Sequence, residues 1–199
     1  MIFRKRKTMA PDDYPTVEQL ERELDRQRYK RSFLFAFRGT VNTLITVAAV
    51  AVLVAVLLLP VLEIYGESMS PTLTSKEFVV CVKGGEFQTG DICAFYYNNK
   101  ILVKRVIARS GDWVNIEEDG TVFVNGQKLD EPYVTELAFG DCDIDLPYQV
   151  PDSKYFVIGD HRDVSIDSRN TVIGCVAEEQ IVGKIVFRVW PLNKFGSIG

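Results

Sequence analysis

The sequence contains a single histidine, His161, among its 199 residues. A serine nucleophile needs a base to accept its proton, and histidine is the usual one. His161 lies far along the chain from Ser68, the serine with the most distinctive surroundings. A Ser-His-Asp site built from Ser68 and His161 is therefore the less favoured alternative, and an amine is the base that the sequence offers instead.

Charged residues are absent from Val41 to Leu62, a run of 22 residues. A helix of that length spans roughly 33 Å, against roughly 30 Å for the hydrocarbon core of a bilayer. A cleavable signal peptide has a shorter apolar core, whereas 40 residues precede this run and no clean small-x-small cleavage site follows it. The run is predicted to be an uncleaved transmembrane signal anchor, with Pro60 in the last turn of its helix.

Charge is unevenly distributed on the two sides of this run. The residues before Val41 contain 10 Lys and Arg against 6 Asp and Glu, a net charge of +4, and those after Leu62 contain 13 against 21, a net charge of −8. The positive-inside rule predicts a single-pass protein of the cell membrane, with a cytoplasmic N-terminus and an extracytoplasmic remainder. The acidic outer part argues against nucleic acid as a partner.

Cysteine is also scarce, and no Cys-x-x-Cys pair or neighbouring histidine accompanies the four that occur. This pattern excludes the common zinc sites, and we predict neither a metal nor a cofactor. Small buried thiols are the favoured interpretation. A disulfide between Cys81 and Cys93, expected on neighbouring strands, is the alternative, because an extracytoplasmic location permits oxidation.

The expected fold class is mainly β, with an antiparallel β core preceded by one transmembrane helix. A capping box at Thr16–Gln19 predicts the start of a juxtamembrane helix, and the residues before Pro15 are expected to be disordered. The predicted divisions are a cytoplasmic tail and juxtamembrane helix at 1–39, the anchor at 40–62, and an extracytoplasmic catalytic domain at 63–199, itself divided into a core (63–109 and 153–199) and a small inserted β lobe (110–152).

Short β-rich runs separated by turn residues follow the anchor and predict strands. Asn125-Gly126 predicts a two-residue hairpin turn, and Ala177–Ile181 predicts a single helical turn. The stretch Glu131–Asp152 is acidic and poor in strand signals. The predicted strands are Phe78–Val82, Asp91–Tyr97, Ile101–Ala108, Trp113–Ile116, Thr121–Val124, Gln127–Leu129, Tyr155–Ile158 and Gly183–Val189.

Ser68 and Lys104 are the candidate nucleophile and base. Ser68 lies in Gly66-Glu67-Ser68-Met69-Ser70-Pro71-Thr72, where the proline restricts the residue before it and favours a bend that presents the serine hydroxyl. Lys104 lies in an apolar strand, where burial would lower its pKa and leave a neutral amine. Each has a plainer explanation when taken alone, a capped turn for the serine and an edge-strand lysine for Lys104.

The loop 159–169, Gly-Asp-His-Arg-Asp-Val-Ser-Ile-Asp-Ser-Arg, follows an apolar strand and is dense in charges and hydroxyls. Its Asp and Arg residues can form ion pairs that hold the loop. Ser165 can hydrogen-bond a neutral amine. A solvated charged loop is the plainer alternative.

Four segments in this order resemble bacterial type I signal peptidases, the serine–lysine leader peptidases. They are GESMSPTL (66–73), GDICAF (90–95), KRVIARSGD (104–112) and GDHRDVSIDSR (159–169), and Trp190-Pro191-Leu192 resembles the family's last strand. The likeness extends from Leu62 to Pro191. Together with the single anchor, it resembles the Gram-positive branch of the family.

The resemblance implies roles for individual residues. Ser68 would be the nucleophile, Lys104 the general base, and Ser165 the residue that orients the lysine. A structural ion-pair network would surround this dyad, and shallow pockets would accept small side chains of the substrate. The implied network is Arg105, Asp160, Asp167 and Arg169, and the implied pocket residues are Ile64, Met69, Leu73 and Val103.

The implied substrates are the signal peptides of secretory preproteins, cut at Ala-x-Ala type sites. The lipid bilayer and the secretion translocon are further implied partners. The sequence departs from the enterobacterial form at Gly66, where that form has a serine that completes the oxyanion hole, and His161 replaces a common asparagine. Two other functions stay open, a related serine–lysine processing peptidase with a narrow client set and a β module that binds without cutting.

Overall fold

The computed structural model describes residues 15–198, apart from the side chains of Leu57 and Leu58. The chain forms two compact units, Met1–Leu53 and Val54–Gly199. The tail expected to be disordered lies outside the described residues. The predicted division into tail, anchor and catalytic domain stays a prediction.

One helix, α1, runs from Val17 to Leu58. Its start is capped as predicted, because Thr16 N–H donates to Gln19 Oε1 at 3.0 Å and Gln19 N–H donates to Thr16 Oγ1 at 3.4 Å. In the described part of the chain it is the one helix long and apolar enough to cross a membrane. Its apolar part, from Val41 to Leu58, spans roughly 27 Å.

The helix ends earlier than the apolar run does. Pro60 was predicted to lie in the last helical turn, but the helix ends at Leu58 and Val61–Glu63 form the first strand. Proline cannot donate a backbone hydrogen bond and disfavours helical geometry in the residue before it. The end of the apolar run is therefore extended rather than helical.

Twelve strands within residues 61–197 form two sheets, in which all the pairings are antiparallel. The larger sheet has the order β1-β2-β11-β3-β4-β9-β10, with β12 paired to β11, and the smaller has the order β7-β6-β5-β8. The mainly β fold is as predicted. The strands are β1 Val61–Glu63, β2 Phe78–Val82, β3 Ile92–Tyr97, β4 Lys100–Arg109, β5 Trp113–Ile116, β6 Val122–Val124, β7 Gln127–Lys128, β8 Tyr148–Gln149, β9 Lys154–Ile158, β10 Val176–Ala177, β11 Ile181–Trp190 and β12 Gly196–Ser197.

All eight predicted strands are present, with ends that differ by at most two residues. The turn at Asn125-Gly126 joins β6 to β7, and both residues have the positive φ values that this hairpin requires. The predicted helical turn is a short 3-10 segment at Glu178–Gln180. The strands that the sequence did not predict, β1, β8, β10 and β12, have two or three residues each, too few for an alternating pattern.

Strand β4, which lies between β3 and β9 in the larger sheet, carries Lys104 and Arg105. Both of its faces are covered, because Val103 packs against the cluster that contains Ile64 and Met69, while Leu102 and Val106 belong to a second cluster. A strand exposes alternate residues to opposite faces, so covering both faces buries neighbouring residues. Lys104 and Arg105 are accordingly each 4% exposed.

Candidate active site

Ser68 lies in the loop between β1 and β2. The loop is closed at its base by two backbone hydrogen bonds of 2.8 Å, from Ile64 N–H to Glu77 O and from Lys76 N–H to Ile64 O. Met69 and Leu73 anchor it in the core and are 2% and 0% exposed. Ser68 itself is half-buried, so its hydroxyl is held at the surface of the core by buried neighbours.

Lys104 lies within β4, directly opposite Cys93 of β3. Its amine donates a hydrogen bond to Ser165 Oγ at 2.8 Å. Burial lowers the pKa of Lys104 to about 8, with a smaller contribution from Arg169, while Asp167 and Asp160 act in the opposite direction. About a tenth of this amine is therefore neutral at pH 7, far more than for a lysine with an ordinary pKa near 10.4.

The loop 159–169 reaches Lys104 because β9 pairs with β4. Ile158 lies opposite Arg105, so the chain leaves β9 beside the lysine. The Gly159 N–H donates to Asp167 Oδ2 at 3.0 Å, which folds the loop back on itself. Ser165 is thereby placed against Lys104 although 61 positions separate them in the chain.

Gly159 is a close-contact position that the sequence did not identify. A Cβ atom there would come within less than 3.0 Å of both Ser165 Oγ and the Ser68 carbonyl oxygen. The Ser68 carbonyl also accepts a hydrogen bond of 3.1 Å from the His161 N–H. The absence of a side chain at Gly159 is what lets the serine loop approach the loop that carries Ser165.

Two buried ion pairs surround the lysine. Arg105 binds Asp160 through two hydrogen bonds, Nε to Oδ1 at 2.8 Å and Nη2 to Oδ2 at 2.6 Å. Arg169 binds Asp167 in the same way, with both distances 2.9 Å. These bidentate pairs involve the four residues that the sequence assigned to a network, and each aspartate is at most 1% exposed.

Ser68 and Lys104 line one cavity of about 600 Å³. Of the four residues predicted to form pockets, Ile64, Met69 and Val103 line it, while Leu73 lies in the buried cluster behind them. The other lining residues are Leu62, Glu63, Tyr65, Gly66, Lys100, Ile101 and Leu102. The structure thus brings the candidate nucleophile, the candidate base and most of the candidate pocket residues to one groove.

A family model described as "Signal peptidase, peptidase S26" matches residues 37–190 of the chain. The chain belongs to the signal peptidase family. This match confirms the resemblance that the four sequence segments indicated, together with the predicted enzyme class, signal peptidase I.

Individual relatives of this signal peptidase agree with the match. Signal peptidase IB of Staphylococcus aureus (strain COL) is 41% identical, over 66% of this chain and 78% of the relative. Signal peptidase I S of Bacillus subtilis (strain 168) is 40% identical, over 65% and 76%. The crystal structure of a signal peptidase I from Enterococcus faecalis V583 is 28% identical and covers 50% of this chain and 97% of its own, with a TM-score of 0.43.

His161 lies beside the site of this signal peptidase, because its backbone N–H donates to the Ser68 carbonyl. No side-chain hydrogen bond joins it to Ser68 within residues 15–198, and its Nδ1 is buried without a hydrogen-bond partner there. The Ser-His-Asp alternative that the sequence left open therefore receives no support from hydrogen bonding. The Lys104 amine likewise makes no hydrogen bond to Ser68 in this part of the chain, but Ser165 holds it in place, whereas His161 Nδ1 has no partner.

The four cysteines, at positions 81, 93, 142 and 175, all lie within the described residues. All four thiols are free, and Cys81 and Cys93 are not on neighbouring strands, because β11 lies between β2 and β3. The expectation of neighbouring strands was wrong, since β11, from far along the chain, inserts between them. Within residues 15–198, no group of three or more His, Cys, Asp or Glu side chains is placed to hold a metal ion.

Three further residues near the site were missed by the sequence reasoning. Glu131 and Tyr133 of the acidic stretch contact Arg162 of the loop 159–169 and Arg105 of β4 respectively. Arg162 lies within the segment 159–169, one of the four that resemble signal peptidases. Glu131 and Tyr133 carried no signal, because nothing in the sequence shows that a residue of the lobe meets one 31 positions later.

Proposed function

We propose that this signal peptidase is a membrane-bound serine endopeptidase that removes signal peptides from exported preproteins at Ala-x-Ala type sites, with Ser68 as nucleophile and Lys104 as general base. One observation carries the proposal. The buried amine of Lys104 is fixed by a 2.8 Å hydrogen bond to Ser165 at the wall of the cavity that Ser68 also lines. The names of the relatives, signal peptidases, support the substrate class.

In the first step the neutral Lys104 amine accepts the Ser68 proton while Oγ attacks the scissile carbonyl carbon. The resulting ammonium then protonates the leaving amine as the C–N bond breaks, leaving an ester on Ser68. The same amine then takes a proton from a water molecule as the water attacks the ester carbon, and it returns that proton to Ser68 Oγ as the ester C–O bond breaks. Ser165 accepts a hydrogen bond from Nζ and so directs the nitrogen lone pair away from itself.

The negative oxygen that forms during attack needs hydrogen-bond donors. Within residues 15–198, the backbone N–H of Ser68 donates no hydrogen bond, and it is available for this oxygen. The carbonyl on the other side of Ser68 is held by the His161 N–H at 3.1 Å. This contact fixes the orientation of the serine backbone, and Gly66 offers no hydroxyl for the same purpose.

The groove suits an extended peptide. Within the described residues, Val61–Glu63 pair only with β2, and Lys100–Val103 pair only with β3, so each has an edge of free backbone groups beside the cavity. A substrate can add as a strand to such edges. Ile64, Met69 and Val103, with Leu73 behind them, narrow the cavity and favour small side chains near the scissile bond.

The ion-pair network keeps the site rigid in this proposal. Arg105 and Asp160 hold the strand that carries Lys104 against the loop that carries Ser165, while Arg169 and Asp167 hold that loop in its fold. Breaking either pair leaves an unpaired charge in a buried place. The network therefore acts on catalysis by fixing positions rather than by touching the substrate.

Anchoring in the cell membrane is the remaining part of the proposal. Helix α1 as a whole is long and apolar enough to cross a membrane, and the basic residues before its apolar part favour a cytoplasmic N-terminus. The catalytic part would then be extracytoplasmic, where exported preproteins emerge. The lipid bilayer is accordingly a partner, and the secretion translocon is a candidate partner.

The test uses the full chain in detergent with a preprotein whose signal ends in Ala-x-Ala. Ser68→Ala and Lys104→Ala are each expected to lower turnover by several orders of magnitude, and together by no more than either alone, because the two act as a unit. Ser75→Ala in the same loop and Lys128→Ala on β7 are matched controls that should retain cleavage. Near-native cleavage by Lys104→Ala would overturn the dyad, and a new N-terminus elsewhere in the preprotein would overturn the cleavage site.

A further inference from the structure

The inserted lobe contacts the loop 159–169 through several side chains. Arg162 is paired with Glu131 by two hydrogen bonds, one of them 3.1 Å, and the two side chains are 1% and 5% exposed. Arg169 Nη1 donates to the carbonyl of Phe139 at 2.7 Å. The lobe thus contributes acceptors to two arginines of the loop that carries Ser165.

Tyr133 connects two ion pairs. Its hydroxyl donates to Glu131 Oε1 at 3.0 Å, and its ring lies 3.7 Å from the guanidinium carbon of Arg105. Glu131 is paired with Arg162, and Arg105 is paired with Asp160. One aromatic side chain of the lobe therefore touches a member of each pair, and its ring shields the Arg105 guanidinium from water.

These contacts bear on the surroundings of Lys104. The groups that act on its charge are Asp160, Asp167 and Arg169, and Ser165 accepts its hydrogen bond. Tyr133 in turn faces Glu131, Arg105 and Arg162. Burial and the neighbouring Glu131 raise the pKa of Tyr133, so its hydroxyl stays a donor throughout the working pH range.

We propose that Glu131 and Tyr133 are positioning residues, which hold the loop 159–169 through Arg162 and Arg105 in the arrangement that keeps Lys104 dry and fixed against Ser165. The inference rests on the proposed function, because it takes Lys104 as the base. Without the ring, water reaches the Arg105–Asp160 pair, so the loop that this pair holds against β4 loosens and admits water to the Lys104 amine. Better hydration favours the charged amine, so Lys104 is expected to become harder to deprotonate.

The experiment compares variants of the full chain in detergent. Tyr133→Leu removes the ring, Tyr133→Phe keeps the ring and removes only the hydroxyl, and Glu131→Gln keeps the volume but removes the charge that pairs with Arg162. Tyr96→Leu, at an exposed tyrosine of β3, is the matched control. The readouts are the pH dependence of kcat/KM, kcat and KM separately, thermal unfolding, and the titration of the Lys104 amine by NMR of ¹³Cε-labelled lysine, assigned with Lys104→Arg.

For Tyr133→Leu we expect kcat to fall at least tenfold with little change in KM, and the midpoint of the Lys104 titration to rise by roughly one pH unit. Glu131→Gln should also raise the midpoint of the Lys104 titration. The midpoint for Tyr133→Phe should lie between those of Tyr133→Leu and the unchanged protein. Tyr96→Leu should leave the midpoint unchanged. If Tyr133→Leu does not fold, Glu131→Gln decides the matter.

Unchanged midpoints in Tyr133→Leu and Glu131→Gln, with only a lower unfolding temperature, would overturn the inference and leave the lobe contacts merely structural. A shifted midpoint together with undiminished cleavage by Lys104→Ala would instead overturn the proposed function. Failure of the inference and failure of the proposed function are therefore distinguished by different measurements.

Discussion

Gly159 and Ser68 lie so close that no side chain fits between them. A Cβ atom on Gly159 would come within less than 3.0 Å of the Ser68 carbonyl oxygen, and equally close to Ser165 Oγ. The loop that carries the candidate nucleophile and the loop that carries Ser165, the residue proposed to orient the base, therefore meet over one glycine.

Gly159→Ala is expected to push these loops apart. A displacement of about 1 Å in a catalytic group lowers activity on the order of 100-fold, so kcat/KM should fall by about that factor. Steady-state cleavage of a preprotein measures the effect. Gly39→Ala, at a helical glycine with nothing within 4 Å of the added atom, is the control and should retain activity. Full activity in Gly159→Ala would mean that the loops can separate without cost.

The pH dependence of cleavage should follow the deprotonation of Lys104. The base works only when neutral, and its pKa is lowered to about 8, so kcat/KM should rise about tenfold per pH unit below that value and level off above it. A pH–rate profile between about pH 6 and 10 measures this. A profile that is flat through this range would contradict the assignment of Lys104 as base.

Lys104 also makes the free energy of unfolding depend on pH. Its pKa is about 8 in the folded protein against 10.5 as an ordinary value, so between these values the unfolded chain binds more protons. Relative to Lys104→Met, the free energy of unfolding of the unchanged protein should rise with pH in this window, by up to ~1.4 kcal/mol per pH unit. Denaturant unfolding of both proteins at a series of pH values measures it. Parallel curves would show that burial does not shift this lysine.

Ser165 and Ser168 allow a comparison of two buried serines on one loop. Ser165→Ala removes the acceptor for Lys104 Nζ, and kcat should fall roughly 10- to 100-fold through loss of orientation. Ser168 instead accepts from the Val157 N–H and donates to the Gly174 carbonyl, so Ser168→Ala should cost about 1–3 kcal/mol of stability and leave the pH profile in place. Thermal unfolding and kinetics on both variants separate the roles. Equal loss of kcat in both would remove the distinction.

Asp160→Asn should be among the most destabilising substitutions in the domain. It leaves the Arg105 guanidinium, whose side chain is 5% exposed, without its charged partner, at a cost of about 3–5 kcal/mol. Glu18→Gln is the control, because it breaks an exposed pair with Arg22 and should cost less than about 1 kcal/mol. Equilibrium unfolding compares the two. Similar small losses would indicate that water reaches the Arg105–Asp160 pair.

Local sequence patterns were enough to predict most of the helices and strands. The start of α1 followed from the capping pattern at Thr16–Gln19, and the hairpin at Asn125-Gly126 followed from the positive φ that these residues tolerate. Longer strands such as β2 and β4 have enough residues to show a β-rich pattern. Short strands such as β8 and β10 do not, because two residues exist as a strand only through their partners.

The sequence alone determined the candidate chemistry of this protein: one histidine left an amine as the base, and a charge-free run predicted the anchor. Only the tertiary structure decided what surrounds that amine. Burial of both faces of β4 removes water from Lys104, and β9 brings Ser165 to it across 61 positions. Tyr133 of the lobe reaches Arg105, the chain neighbour of Lys104, by packing. Packing depends on the positions of distant segments in space, which no local pattern encodes.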